Sequence, residues 1–271
     1  MAPGVSDPLG DLGRAAAVWR RYPLLPVATV ATASVLCLTN ASDGVAVLAG
    51  LGALLLVGWP GTERLFYLRA WHGDGMRLLE LPGATLRFFT RFFLLGLLSA
   101  VAYLVVALPA LVEVSRRALD AARQGAAAGV TDPAQVDVDI PLWATLWLIA
   151  AVVVIDMVGT YVTPALTYST WRVTAAIVLG LQMLRRTWPH AALYVVAPPL
   201  AVVVVNLFAQ WGLATATIAV VLAALLNLLV KGAVAAYYLR VVGPVPPNGA
   251  QKPPAHPVGG WDGAPGWVDH R

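Results

Sequence analysis

Six apolar runs lie between Leu24 and Leu239, and only Asp156 and Lys231 place a charge well inside any of them. Runs of this kind have no counterpart on a water-facing surface, so they limit the chain to one architecture, a set of helices crossing a bilayer. Composition agrees. Charged residues make up 12% of the chain, about half the ~25% of a soluble domain. Hydrophobic residues make up 59%, and the mean hydropathy is +0.74. These values exclude a disordered chain, and a single cysteine excludes a disulfide scaffold. Cys37 itself lies in an apolar run, where it reads as a small packed side chain. No cleavable signal is expected, because the first apolar run starts near Leu24 and a second follows at once.

A helix needs about 20 apolar residues to cross the hydrocarbon core. The runs predict spans at Leu24–Asn40, Val45–Trp59, Phe92–Val114, Pro141–Thr163, Ala191–Gln210 and Leu213–Leu239. The expected fold is therefore all-α, a polytopic membrane protein with six transmembrane helices in three hairpins. The first two spans are short and are joined by turn and cap chemistry at Ala41-Ser42-Asp43-Gly44. The fifth is interrupted by Pro198-Pro199, a candidate helix break whose freed carbonyls need neighbouring helices or water.

Orientation follows from the basic residues. With both termini cytoplasmic, fourteen of the eighteen Lys and Arg fall on the inside segments. Only Arg116, Arg117 and Arg123 lie outside, and Lys231 lies within a span. Eight of the ten tryptophans, among them Trp19, Trp59, Trp143 and Trp147, fall near expected span ends, where an interfacial belt would put them. Basic, partly apolar stretches at Leu9–Arg21, Thr62–Phe89 and Thr167–Arg186 precede the hairpins and read as cytoplasmic interfacial helices. Residues 1–23 form the first of these segments and 24–242 the membrane domain. Val173–Met183 is apolar but too short to span. Glu113 and Arg117, spaced i, i+4, extend the third helix into a solvated face. The tail from residue 243 onward, rich in Pro and Gly, reads as disordered.

Catalytic motifs are missing. There is no H-E-x-x-H, no G-x-S-x-G and no P-loop, and His72, His190, His256 and His270 are scattered without metal-ligand spacing. The expectation is a non-enzyme without cofactor or metal. A formal charge of +4 does not point to nucleic acid, because the basic residues flank apolar runs rather than forming a stripe with stacking aromatics. The sixteen Arg against two Lys, with abundant Ala, Val and Gly, fit a GC-rich bacterial genome and hence a multi-pass protein of the bacterial plasma membrane.

Ionisable groups inside spans cost about 2.5–3.5 kcal/mol each on insertion scales, which makes them candidate functional residues. Asp156 and Asn227 come at similar depth in the fourth and sixth spans, and Lys231 lies one turn further, within snorkelling reach of the cytoplasmic interface. If those helices touch, Asp156, Asn227 and Lys231 form a polar cluster. It would be either a clasp between helices or a proton or ion relay. Without contact, the three are unrelated.

The stretch Gly58-Trp59-Pro60-Gly61-Thr62, then Phe66-Tyr67-Leu68-Arg69-Ala70-Trp71-His72-Gly73-Asp74, continues to Thr85-Leu86-Arg87-Phe88-Phe89-Thr90-Arg91-Phe92-Phe93. It resembles the YesL-like family of small bacterial membrane proteins. That family has a Pro/Thr turn after two short spans, an aromatic-basic stretch ending near a Gly-acidic pair, and a Phe/Arg-rich entry to the next span. The resemblance extends from about Arg20 to Gln210, and the acidic outer loop and Pro/Gly tail depart from it. It implies association with carbohydrate uptake and no catalytic residues. The expected function is an accessory or scaffold component of a membrane complex, with transporter subunits as partners. The alternative is a small transporter or channel using Asp156, Asn227, Lys231 and the Pro198-Pro199 break.

Overall fold

The computed structural model describes residues 8–37, 56–127, 140–185 and 213–243, together with positions 47, 50, 52, 54, 187, 245 and 247–249. Every element among the described residues is helical. In chain order they are α1 (Pro8–Arg21), α2 (Leu24–Cys37), α3 (Trp59–Trp71), α4 (Leu81–Ala127), α5 (Leu142–Tyr168), α6 (Val173–Arg185) and α7 (Leu213–Val242). Single 3-10 turns at Leu56–Gly58 and Leu78–Glu80 lead into α3 and α4.

Helices α4, α5 and α7 are long and apolar enough to cross a membrane. They contain 47, 27 and 30 residues, so at ~1.5 Å per residue each exceeds the ~30 Å hydrocarbon core. Local sequence sets their ends. Pro141 occupies the N-cap of α5 in extended conformation, where a missing N–H costs nothing. Gly243, at φ 91°, donates its N–H to the Leu239 carbonyl at 2.9 Å and stops α7.

Helices α4 and α5 form a close pair. The Trp147 indole donates to the Val106 carbonyl at 2.7 Å. Ala107 and Ala110 on α4 and Ala144 and Ala151 on α5 are fully buried, as small residues at close membrane-helix contacts are. Elsewhere these halves expose Leu97, Leu98, Val101, Leu104 and Leu108 on α4, and Leu146, Ile149, Val152 and Val154 on α5. An apolar surface of that extent suits hydrocarbon and not water.

The packed core lies at the opposite end of the long helices. Leu81–Leu95 of α4, Tyr161–Tyr168 of α5 and Leu228–Tyr238 of α7 meet there with α1 and α3. Glycines on α7 and α6 permit close approaches of this kind. A Cβ on Gly232 of α7 would lie 2.5 Å from the Tyr67 ring and 2.7 Å from Ala15, and one on Gly180 of α6 would lie 2.8 Å from the Val162 backbone nitrogen.

Several expectations are met. The third expected span lies inside α4, the fourth nearly coincides with α5, and the sixth lies inside α7. The extension of α4 past Val114 is present, with Arg117 on Glu113 at 2.8 Å, and the described part of α6, Val173–Arg185, is apolar.

Of the first expected span, Leu24–Cys37 is helical, and the last three residues of that span lie outside the described residues. Other expectations are corrected. The stretch Thr62–Phe89 is not an interfacial helix. Ten of the 13 residues of α3 are buried, and a helix covered on all sides belongs to a core. Arg87–Phe93 belongs to α4, because after Pro82 in the first turn nothing interrupts helix propagation. Its phenylalanines divide, with Phe88 and Phe92 on the buried stripe that runs from Leu81 to Leu95, and Phe93 facing outward. The tail also begins folded. Val245 is 8% exposed, and the Asn248 carbonyl accepts from Arg87 at 2.9 Å. Seven of the fifteen residues of the second span, all of the fifth with Pro198 and Pro199, and residues 251–271 lie outside the described residues.

Candidate functional site

The core contains a charged centre built from α2, α3 and α7. Pro60 in the first turn of α3 sets the helix start, which places Trp59 and Glu63 one turn apart on one face. The Trp59 indole donates to Glu63 Oε1 at 2.9 Å, and the Thr29 hydroxyl from α2 donates to the same oxygen at 3.0 Å. The second oxygen, Oε2, takes a hydrogen bond from Lys231 Nζ at 2.6 Å. The Glu63 side chain is 1% exposed and that of Lys231 21%. Both carboxylate oxygens are therefore occupied, and one charge pairs with one counter-charge, the condition under which a buried ion pair is tolerated.

One turn along α3, Tyr67 repeats the arrangement with neutral groups. Its hydroxyl donates to the Leu228 carbonyl of α7 at 3.1 Å and accepts from the Trp19 indole of α1 at 2.6 Å. Burial holds the Tyr67 phenol well above its ordinary range, opposed in part by the Trp19 bond. A second buried acid, Asp11 of α1, pairs with Arg240 of α7 and approaches Arg14 at 3.9 Å. Helix α7 thus presents two cations, Lys231 and Arg240, to two buried carboxylates on different helices.

Around this centre, Arg64 is 5% exposed. Burial draws its guanidinium below the usual arginine range, with Tyr168 and Glu63 opposing. It donates to the Pro60 carbonyl at 3.0 Å, while its own backbone carbonyl accepts from the Tyr168 hydroxyl at 2.8 Å. At the far end of α3, Arg69 binds Asp74 and Glu80, and the bond to Asp74 first of all raises its already high pKa.

The sequence-derived cluster is not assembled as expected. Lys231 meets Glu63 and not Asp156. Asp156 is exposed on α5, and its carboxylate has no hydrogen-bond or ion-pair partner among the described residues; only its backbone carbonyl is used, by Thr160 at 2.7 Å. Asn227 is half-buried on α7 and makes no side-chain hydrogen bond among the described residues. Glu63 and Asp11 escaped the sequence reading because each lies in a stretch whose charges looked solvated. The usable signal was the Trp59/Glu63 spacing at the start of a proline-initiated helix. Trp59 is likewise a buried donor, 8% exposed, and no interfacial anchor, whereas Trp143 and Trp147 are about half exposed at the start of α5.

Among the described residues no three His, Cys, Asp or Glu converge on a metal position. His72 is committed through Nδ1 to the Leu68 carbonyl at 2.8 Å. Through the bonds to Glu63 the charged centre holds α2, α3 and α7 in one register. No family model, curated protein or solved structure matches this chain. The stretch Gly58–Phe93 comprises α3, the turn at Leu78–Glu80 and the start of α4.

Proposed function

We propose that this chain is a non-enzymatic accessory or scaffold subunit of a larger membrane assembly, akin to the YesL-like proteins, in a bacterial plasma membrane. Six spans with both termini cytoplasmic remain part of this reading, on the strength of the basic-residue asymmetry. The observation that carries it is Asp156. It sits on the exposed apolar face of α5 with no side-chain partner among the described residues, and an acid left unpaired in a span costs about 2.5–3.5 kcal/mol on insertion scales. A polar or basic group on a neighbouring membrane subunit removes that cost and gives α5 a specific docking point. Lys231, engaged by Glu63, offers no mobile charge to a relay, which weighs against the transporter reading. A solute importer is the partner class that the family resemblance suggests.

The test is affinity purification from native membranes after brief crosslinking, with mass spectrometry of wild type and Asp156→Asn. A stoichiometric membrane partner that is lost in the variant supports docking through Asp156. Recovery of the protein alone, combined with proton or solute flux in liposomes that Asp156→Asn abolishes, would overturn the scaffold reading in favour of transport. Should the variant keep its partner, docking is carried elsewhere and the role given to Asp156 fails.

A further inference from the structure

Where α7 ends, α1, α3 and the start of the tail enclose a cleft of about 430 Å³, within the ~300–1,000 Å³ range of small-molecule sites. Its walls divide by chemistry. Leu239, Trp71 and Val245 supply an apolar side, and Arg14, Arg240 and His72 supply polar and cationic groups. Gly243 turns the chain at φ 91°, and Val245 then packs back at 8% exposure. Trp71 is held by stacking on Tyr67 with ring centroids 5.6 Å apart.

Among the described residues the charge balance leaves the cleft cationic. Asp11 is its nearest buried acid and is paired with Arg240, so Arg14, which touches Asp11 only at 3.9 Å with 62% of its side chain exposed, contributes charge beyond that pair. Position adds the second constraint. Arg240 is the basic residue in the last turn of an apolar helix long enough to cross a membrane, which is the depth of phospholipid headgroups. Basic pockets between membrane helices at that depth suit anionic headgroups, and the apolar wall suits the first carbons of an acyl chain.

We propose that this cleft binds an anionic glycerophospholipid, its phosphate against Arg14 and Arg240 and its glycerol and upper acyl carbons against Trp71, Leu239 and Val245. The site is separate from the Asp156 face and does not depend on the scaffold reading.

Lipid retention measured by native mass spectrometry on the full chain, released from nanodiscs of equal phosphatidylglycerol and phosphatidylcholine with identical acyl chains, tests the assignment. Wild type should retain phosphatidylglycerol in preference to phosphatidylcholine. Arg14→Gln, at an exposed position that leaves the Asp11–Arg240 pair intact, should weaken that preference about fivefold, the worth of one arginine beside an anionic lipid. Arg77→Gln, an exposed arginine outside the cleft, should retain it, and both variants should melt as wild type does. Equal retention of the two lipids by wild type overturns the proposal, as does an equal loss in both variants, which would mean general surface attraction. Displacement by soluble glycerol phosphate, or by a peptide of residues 251–271, as effective as displacement by lipid would assign the cleft to a free phosphate ester or to the chain's own tail, and so also overturn it.

Discussion

Replacing Lys231 with methionine tests the charged centre most directly. Methionine preserves the unbranched apolar stem and removes only the ammonium, which lies 2.6 Å from Glu63 Oε2. The carboxylate keeps its Trp59 and Thr29 bonds on Oε1, but Oε2 loses its partner at a site that is 1% exposed. Breaking a buried ion pair from one side costs about 3–5 kcal/mol, since an uncompensated charge stays behind. Two features place this case near the lower bound. The Lys231 side chain is 21% exposed, so part of the attraction is already screened, and Arg64 interacts with the same carboxylate. The expected loss is therefore about 3 kcal/mol. Glu63→Gln should cost less, because the amide oxygen still accepts from Trp59 and Thr29 while the orphaned lysine can extend toward the interface. Combining Glu63→Gln with Lys231→Met removes both charges, and the cost should fall below the sum of the single variants by about 1–2 kcal/mol. Equilibrium unfolding in mixed micelles, followed by tryptophan fluorescence and helical circular dichroism, gives all four corners of the cycle. A Lys231→Met variant within about 0.5 kcal/mol of wild type, the range of neutral surface changes, or strict additivity in the double variant, would refute the account of a coupled buried pair.

Other outcomes follow from the same packing. Tyr67→Phe leaves the Trp19 indole and the Leu228 carbonyl short of a partner and should cost about 1–3 kcal/mol by the same unfolding assay. Because the folded chain holds the Tyr67 phenol above its unfolded value near 10, its contribution is intact below about pH 10 and declines as pH rises above it; melting curves of Tyr67→Phe should therefore fall less steeply with alkaline pH than those of wild type. Gly232→Val inserts a side chain 2.5 Å from the Tyr67 ring and 2.7 Å from Ala15, and should destabilise by about 1–3 kcal/mol through overpacking, read as a lowered melting temperature; an unchanged value would mean that α7 can move off α3 without loss.

Much of the secondary structure was legible in the residues themselves. Uninterrupted apolar runs and their punctuation, Pro141 before α5 and Gly243 after α7, mark helices because the chain has no other way to satisfy backbone groups in a hydrocarbon medium. The Glu113/Arg117 spacing placed a solvated turn correctly, since both partners lie on one helix. What tertiary structure alone decided was which charges lie inside. Glu63 and Lys231 are 168 positions apart, and Asp11 and Arg240 are 229 apart; no periodicity links them. Read along the chain, α3 has the charge content of a surface helix. It is buried because α7 brings a cation to its acid, and the glycine beside that lysine lets the two backbones come close enough for Tyr67 to reach a main-chain carbonyl. Local sequence determines that a helix forms and where it stops. The partner that neutralises its charges depends on which faces meet in space, and that decided whether Glu63 and Lys231 stand in water or in the core.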